Sequence, residues 1–572
     1  MLKKGRLAFA TTLLMLLAAV VAACGNPPQT QTPAKPYDYK APTGDQKGGT
    51  VIFSDWEFVD SLNPLFATLV VDAEVDSGLW AGPTTITSDA KYVPDQLTEV
   101  PTLDNGGFSK DGLTVVMHLR HDLKWSDGQE LTADNFVYAM DTLLDPNTAA
   151  ASTFGYDQMA SYVATDKYTL TVKYKAPFAS YLAYLPFALP KHAWSSIANK
   201  DLSTTQDINL TPKVTSGPFM LSDFAADQSI TLVPNKYYVS TSLHPTVLDK
   251  AVFKVFASKD ALIAGYQAGE TDHAEDFTNA DIKKLTGLPG LQVTSNISYE
   301  HIDPNLQNPV LQDLNVRKAI EEGIDRCQII QSVLSADCAQ LGVDTVLPAP
   351  SPEFDPSIKA LPFNKAQAIA DLKTAGWDCS AAPSPCKKAD GTVFPTLNLA
   401  TTSGNQQRAD VTQIVKQDLA AIGIPINLDG QYYPASVFFT DYSHGGILAT
   451  GKYDLCLFAY VFGLDTGGDL SEFASSEIPS DASPSGGNYS RINDPQVDQA
   501  LDAGGKELDP AKRHTIYVDL LKHIVDQVYT IPMYLRPNVT LTSTNVANYF
   551  PNPTSAGNEW NLSDWFFIKK SQ

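Results

Sequence analysis

Several residue types that carry chemistry are scarce in this chain. Its 572 residues include only six cysteines, seven methionines and nine histidines. So few cysteines exclude a small disulfide framework, and 35 glycines with 38 prolines are too few for a collagen-like or low-complexity chain. Charged residues make up 18% of the sequence and hydrophobic residues 43%, which excludes a disordered polyelectrolyte. At about 150 residues per domain, the length predicts roughly three to four compact units.

Basic residues are also in deficit. The sequence has 41 lysines and arginines against 64 aspartates and glutamates, which gives a formal charge of −23. Such a chain repels the phosphate backbone of nucleic acids, so we expect no nucleic-acid partner. The negative charge favours solubility and, more weakly, neutral or cationic ligands.

Catalytic sequence motifs are missing as well. The sequence contains no Gly-x-Ser-x-Gly elbow, no His-Glu-x-x-His and no Walker or dinucleotide-binding glycine loop. No two histidines stand at metal-ligand spacing on one predicted helix, and no Cys-x-x-Cys occurs. We therefore expect no enzyme activity, no cofactor and no bound metal. Because acidic residues are plentiful, a secreted hydrolase with a pair of carboxylates is the alternative.

The one long apolar run lies at the N-terminus. A basic stretch at residues 3–6 precedes an apolar run over residues 7–23, which is the pattern of a secretory signal peptide. The run is shorter than the roughly 20 residues of a membrane-spanning helix. It ends in Val21-Ala22-Ala23-Cys24, which resembles a bacterial lipobox, whose cysteine carries the lipid. We therefore predict a lipid anchor on Cys24; the alternative is a plain signal peptide with an incidental cysteine.

Residues 24–47 are rich in Pro, Gln, Thr and Gly and predict a flexible tether. Beyond it lie the other five cysteines, which can form disulfides outside the cytosol. Their spacing favours two short loops, Cys327–Cys338 and Cys379–Cys386, and leaves Cys456 free. Because five cysteines can form two bridges in fifteen ways, spacing is only a hint about their pairing.

Strand-like and helix-like segments alternate through the rest of the chain, which predicts α/β domains. Thr132 is expected to cap one helix, and a second helix is expected over residues 258–268 with Gly269 as its stop. The apolar pattern over residues 316–330 predicts a single helix. Strand, helix and strand over residues 397–428 predict a parallel sheet.

Short motifs occur in a fixed order between about residues 48 and 540. They include GGTVI at 48–52, LRHDLKWSDG at 119–128, LTADNFVY at 131–138, SGPF at 216–219, IDR at 324–326 and IPMY at 531–534. Each motif is weak by itself. As an ordered set they resemble the family 5 extracellular solute-binding proteins, which are the oligopeptide-, dipeptide- and nickel-binding components of ABC importers.

The resemblance implies an α/β, two-lobed periplasmic-binding-protein-like fold of class II, with an extra subdomain inserted in the first lobe. The first lobe would take residues 48–94, 211–297 and 540–572, the inserted subdomain residues 95–210, and the second lobe residues 298–539. A ligand would bind in the cleft and stabilise a closed state by contacting both lobes.

The resemblance also implies partners. The protein would be a monomer, lipid-anchored to the outer face of the bacterial cytoplasmic membrane, in the periplasm or cell-wall space. It would deliver its ligand to the permease and ATPase subunits of an ABC importer. Peptides are the expected ligands, with a nickel chelate, an oligosaccharide or an opine-like molecule as alternatives.

A peptide receptor must compensate the charge of a buried α-amino group, so its cleft needs an acid. By resemblance this acid lies in a loop where Asp465 is the first candidate and Asp469 the second. Tyr460 and Phe462 would line an apolar side-chain pocket. The structural alternatives are a solvated loop for the aspartates and core packing for the two aromatic rings.

Further candidates lie at strand ends and turns. Asn405 ends a loop that follows a predicted strand and precedes a predicted helix, where backbone amides suit a ligand carboxylate. By resemblance, Arg408 lies one or two residues from the basic position that binds the ligand carboxylate in dipeptide-type members, and an arginine can hold a carboxylate through two hydrogen bonds. Phe66 and Thr68 would face the cleft from the first lobe, and Tyr489 would lie at its lip. The alternatives are a salt bridge for Arg408 and turn packing for the others.

Overall fold

The computed structural model describes residues 38–569, except 68, 149, 154, 461, 482 and 485. The predicted signal peptide, Cys24 and most of the tether lie outside the described residues, and so does Thr68. Within the described part, no helix combines the length and the apolar character that crossing a bilayer requires.

Eleven strands form one large mixed sheet, and smaller sheets lie around it. In chain order the strands are β1 (Thr50–Asp55), β2 (Thr84–Ile86), β3 (Tyr92–Pro94), β4 (Thr114–His118), β5 (Met159–Asp166), β6 (Thr169–Tyr174), β7 (Phe219–Ala225), β8 (Ser229–Pro234), β9 (Lys250–Val255), β10 (His273–Phe277), β11 (Leu291–Pro304), β12 (Leu397–Thr402), β13 (Ile426–Asn427), β14 (Tyr432–Tyr433), β15 (Leu455–Tyr460), β16 (Ile531–Thr542), β17 (Val546–Ala547) and β18 (Phe566–Phe567). The large sheet has the order β13-β12-β15-β11-β16-β10-β1-β9-β8-β7, and β14 pairs with β12.

Helices alternate with these strands along the chain. They are α1 (Val70–Leu79), α2 (Ala133–Leu143), α3 (Lys191–Trp194), α4 (Gln206–Asn209), α5 (Lys259–Ala268), α6 (Asn279–Leu285), α7 (Leu314–Gly323), α8 (Arg326–Val333), α9 (Cys338–Leu341), α10 (Lys365–Thr374), α11 (Gln406–Ala421), α12 (Ala435–Phe438), α13 (Ile447–Thr450), α14 (Thr466–Ser471), α15 (Pro495–Lys506) and α16 (Pro510–Asp526).

Two long antiparallel strands carry the sheet from one half of the molecule to the other. β11 pairs with β15 on one side and β16 on the other, and β16 pairs in turn with β10. The register between β11 and β16 is interrupted between Ser295 and Tyr299. An interruption of this kind bends a ladder locally. β11 and β16 are therefore the crossing strands that a two-lobed fold requires.

The buried apolar side chains form four separate clusters, and β11 and β16 contribute to two of them at opposite ends. The largest cluster lies within residues 299–535. A second lies within residues 65–208 around Trp125, and two smaller ones lie around Phe53 and Leu262. Because each cluster buries its own apolar surface, neighbouring regions can move relative to one another while their cores stay intact.

Helix starts and stops follow the local sequence signals in two of the predicted cases. Thr132 caps α2, and α5 ends at Gly269, whose φ of 74° is the left-handed conformation that glycine adopts readily. The prediction of a single helix over residues 316–330 was wrong. The chain forms α7 and α8 instead, because the side chain of Asp325 accepts a hydrogen bond from the backbone amide of Gln328 and starts a new helix there.

The five cysteines among the described residues lie in the second half of the chain. Cys327 is bonded to Cys338 and Cys379 to Cys386, while Cys456 is a buried free thiol on β15. The first bridge ties α8 to α9, and both bridges close short loops of the predicted second lobe.

Candidate functional site

The end of β15 and the loop after it hold three of the predicted ligand-binding residues. β15 runs parallel to β12, so both strands end at the same edge of the sheet. Tyr460 is the last residue of β15, Phe462 follows it, and Asp465 immediately precedes the short helix α14. The loop from Thr402 to Asn405 leaves the same edge after β12. Parallel strand ends therefore bring the two predicted loops to one edge of the sheet.

The carboxylate of Asp465 contacts residues of the predicted inserted subdomain. The hydroxyl of Ser180 donates a hydrogen bond to its Oδ1. Burial raises the pKa of Asp465, although Ser180, the backbone amide of Gly468, the hydroxyl of Tyr184 and the positive charge of Arg513 act against that rise. The hydroxyls of Ser180 and Tyr184 can therefore hold Asp465 against the segment at residues 180–184. A ligand can also take the place of these hydroxyls as the partner of the carboxylate.

A seam between the predicted inserted subdomain (residues 95–210) and the predicted second lobe (residues 298–539) surrounds this contact. The carbonyl oxygen of Ala179 accepts a hydrogen bond of 3.2 Å from Nη1 of Arg513 on α16. The backbone amide of Ala179 donates to the carbonyl oxygen of Gly505 on α15 at 3.4 Å. Residues 179–184 thus touch the second lobe at both Asp465 and α15–α16, which places Asp465 where the two regions meet.

Further acids crowd the second-lobe side of the seam. Burial, with repulsion from Asp465 and Glu353, raises the pKa of Asp469 to about 7. Glu472 is buried beside Asp303 and Asp469, and its pKa is raised to about 8. The Oδ2 atom of Asp469 and the Oε2 atom of Glu472 are buried without hydrogen-bonding partners among the described residues. A cationic group would stabilise the ionised forms of these crowded carboxyls and would pair with the unpartnered oxygens.

Tyr460 and Phe462 lie deeper than the acids. They are 4% and 5% exposed, and their rings stack with centroids 5.1 Å apart. The ring of Tyr460 also stacks on the ring of His301, with the two rings parallel and their centroids 3.8 Å apart. The hydroxyl of Tyr460 donates a hydrogen bond of 3.1 Å to Oδ2 of Asp303. These contacts agree with the core-packing alternative, in which the two rings form the floor beneath the acidic loop.

Arg408 does not match the expectation that it meets a ligand carboxylate. It is 7% exposed, and its Nε and Nη2 atoms donate to the carboxylate of Glu300 at 3.1 Å and 3.0 Å. Its Nη1 atom donates to the hydroxyl of Thr402 at 2.8 Å. The charge of Arg408 is therefore already compensated by a buried acid on β11. The side chain of Asn405 accepts the backbone N–H of Arg408 and caps α11.

The remaining candidates pack against their surroundings. Phe66 lies in a turn and contacts the core of the inserted subdomain. The ring of Tyr489 lies edge to face with Phe458 at 5.7 Å, and its carbonyl oxygen accepts from Arg491 at 2.7 Å. Thr68 is outside the described residues. For Phe66 and Tyr489 the structure agrees with turn packing.

A cavity of about 280 Å³ lies elsewhere and is lined by residues from 77–95, 218–243 and 555–563. Trp80, Asp95, Tyr238 and Trp560 are among its lining residues, and none of the predicted ligand-binding residues lines it. The acidic seam remains the better candidate site, because it joins two separately packed regions and contains unpartnered polar atoms.

Sequence reasoning missed the partners of Asp465. Ser180, Tyr184 and Arg513 are far from the loop in sequence, and none of them was predicted to face it. The available hint was the aromatic stretch at residues 178–184, FASYLAY, which is too apolar for an ordinary surface loop.

Comparisons with known proteins agree with the fold. The chain matches the description "Bacterial extracellular solute-binding proteins, family 5 Middle" over residues 98–477. The oligopeptide-binding protein AppA of Bacillus subtilis (strain 168) is 24% identical over 578 residues, which cover 98% of this chain and 98% of that protein. The structure of B. subtilis AppA in complex with a nonapeptide matches with a TM-score of 0.69 and 22% identity, over 92% of this chain and 100% of that chain.

Two further solved structures share the fold. The ABC transporter substrate binding protein CtaP of Listeria monocytogenes matches with a TM-score of 0.75 and 18% identity, over 91% of this chain and 100% of that chain. NikZ of Campylobacter jejuni, in complex with Ni(L-His), matches with a TM-score of 0.71 and 19% identity, over 90% of this chain and 99% of that chain. These likenesses confirm the predicted two-lobed α/β fold.

Proposed function

Because this chain belongs to the bacterial extracellular solute-binding proteins of family 5, we propose that it captures peptides between its lobes and delivers them to the permease of an ABC importer. The family consists of binding proteins and not of enzymes, so the hydrolase alternative is set aside. The observation that carries the peptide assignment is the position of Asp465 at the seam between the inserted subdomain and the second lobe.

Asp465 is proposed to bind the α-ammonium group of the peptide, and Asp469 to add negative charge beside it. An ammonium group would pair with the carboxylate and offset the cost of burying that charge. The hydroxyls of Ser180 and Tyr184 would remain as neighbours from the inserted subdomain. A ligand held from both sides in this way favours the closed state, because the full set of contacts exists only when the regions meet.

The other end of the peptide is not expected to pair with Arg408. Because Glu300 already engages the guanidinium group through two hydrogen bonds, binding a ligand carboxylate there would leave Glu300 buried and unpaired. We therefore propose that recognition is strong at the amino end of the peptide and tolerant of length at the carboxyl end. AppA of B. subtilis, a relative that aligns over nearly the whole chain, is named for oligopeptide binding.

The ligand assignment can be tested on purified protein. Small molecules released by denaturation are identified by mass spectrometry, and the stripped protein is melted with and without them. The proposal expects peptides with free amino ends, a higher melting temperature in their presence and no shortening of the peptides. Release of a nickel chelate or an oligosaccharide alone would contradict the peptide assignment.

We propose further that lipid on Cys24 anchors the protein outside the cytoplasmic membrane. The Val21-Ala22-Ala23-Cys24 sequence supports this, because it stands where a signal peptidase would cleave. Cys24→Ser should move the protein from the membrane fraction to the soluble exported fraction. The matched control is Cys456→Ser, which removes the buried free thiol and should leave the protein in the membrane fraction.

A further inference from the structure

A buried group of one histidine and two glutamates lies in the first lobe. His273 and Glu275 are two residues apart on β10 and so point to the same side of that strand. Glu559 reaches them from the segment between β17 and β18. The three side chains are almost inaccessible to solvent, with residue exposures of 0% for His273, 7% for Glu275 and 1% for Glu559.

The three side chains converge on a small volume. Nε2 of His273 lies 3.2 Å from Oε1 of Glu559 and 3.9 Å from Oε1 of Glu275. One ligand atom from each residue lies within 4.8 Å of the other two. Ligand atoms at about 2.0–2.1 Å from a tetrahedral Zn²⁺ stand roughly 3.4 Å apart. The two separations from Nε2 of His273, 3.2 Å and 3.9 Å, are therefore within about 0.5 Å of the spacing around such an ion.

Neighbouring side chains orient the two residues of β10. Nδ1 of His273 lies 2.8 Å from the hydroxyl of Thr542 on β16. With Nδ1–H donating to that hydroxyl, the lone pair of Nε2 faces the two carboxylates, which is the arrangement of metal-bound histidines. Asn558 donates to Oε2 of Glu275, which leaves Oε1 of Glu275 toward the histidine.

Polar atoms inside this group lack partners. Apart from one another, Nε2 of His273, Oε1 of Glu275 and both carboxylate oxygens of Glu559 have no hydrogen-bonding partner among the described residues. Oε1 of the buried Glu74 on α1 is also unpartnered, and Glu74 interacts electrostatically with Glu275 and Glu559. Buried polar atoms without partners are rare, because leaving them unpaired costs free energy. A cation would pair with all of them at once.

We propose that His273, Glu275 and Glu559 bind a divalent transition-metal cation, for which Zn²⁺ is the probe, with Glu74 as an additional carboxylate. An imidazole nitrogen among the ligands favours Zn²⁺ over Ca²⁺ and Mg²⁺, which prefer oxygen ligands alone. The bound ion would tie β10 to the segment that carries Glu559. The sequence motifs predicted no metal, because Glu559 is far from the other two ligands along the chain.

The test measures zinc in the full chain. The protein is treated with a chelator, exchanged into metal-free buffer, loaded with ZnCl₂ and dialysed. We expect about one Zn²⁺ per chain by elemental analysis, a raised melting temperature, and an anomalous diffraction peak between the three side chains. Glu559→Gln, which keeps the shape of the side chain, should weaken zinc binding at least tenfold. His444→Gln removes an exposed histidine and should bind zinc like the wild type.

Failure of the wild type to retain zinc, or an anomalous peak only at another place, would overturn the proposal. Wild-type zinc affinity in a folded Glu559→Gln variant would overturn it as well. If Glu559→Gln does not fold, Thr542→Val replaces it, since it keeps every ligand and removes the hydroxyl beside Nδ1 of His273. Loss of such an outer partner is expected to weaken zinc binding by about 10–100-fold. Unchanged affinity in Thr542→Val together with no peak at the three side chains would overturn the site.

Discussion

The proposed role of Asp465 predicts that replacing it with asparagine removes the preference of the protein for a free amino end. Asn has the shape of Asp and can still accept a hydrogen bond from Ser180, so the seam should keep its packing. What the variant loses is the negative charge. A hydrogen bond to a charged group contributes about 1.5–3 kcal/mol, which corresponds to about a 10–150-fold change in affinity.

Isothermal titration calorimetry can isolate that contribution. One peptide recovered from the purified protein is synthesised with a free and with an acetylated amino end. The wild type should bind the free form about 10–150-fold more tightly, and Asp465→Asn should bind both forms with similar affinity. The ratio of the two affinities is insensitive to general damage to the cleft, because such damage weakens the binding of both peptide forms. If Asp465→Asn still distinguishes the two forms as the wild type does, another group binds the ammonium and the assignment of Asp465 is wrong.

Three further predictions follow from neighbouring contacts. Ser180→Ala should raise the peptide dissociation constant several-fold by weakening the seam, whereas the exposed control Ser195→Ala should not, as calorimetry can show. Arg408→Ala should lower the free energy of unfolding by about 3–5 kcal/mol in urea titrations, because Glu300 is left buried without its partner; loss of peptide affinity at unchanged stability would contradict this. Folding raises the pKa of Asp469 to about 7, above its value in the unfolded chain, so between those two values the folded state holds a proton that the unfolded chain has lost. The free energy of unfolding should therefore fall as the pH rises from about 4 to 7, and Asp469→Asn should flatten that part of the pH profile; an unchanged profile would refute the assignment.

Local features of this fold were predictable because they depend on neighbouring residues. Thr132 and Gly269 mark helix ends through backbone preferences that need no distant partner. The division into α7 and α8 was missed, since an apolar pattern that continues through residues 316–330 hides the capping role of Asp325. Periodicity reports which face is buried and not whether the backbone is continuous.

The site was predictable only in part for a different physical reason. The position of a loop at a strand end follows from chain order, which is why Asn405 was expected at the edge of the sheet, whereas Asp465 was chosen by the family resemblance. The partner of a charged side chain is set by tertiary packing, so nothing local to Arg408 indicated that Glu300 on β11 compensates it. The contact of Asp465 with Ser180, and the convergence of Glu559 on His273, likewise join residues that are distant in sequence.

The central claim is that the two lobes close over a peptide and release it intact. Small-angle X-ray scattering on ligand-stripped protein, before and after addition of the recovered peptides, tests this most directly when the peptides are analysed by mass spectrometry afterwards. The account predicts that the radius of gyration falls on binding and that every peptide is recovered at its original mass. An unchanged radius of gyration at saturating peptide, or the appearance of shortened peptides, would contradict it.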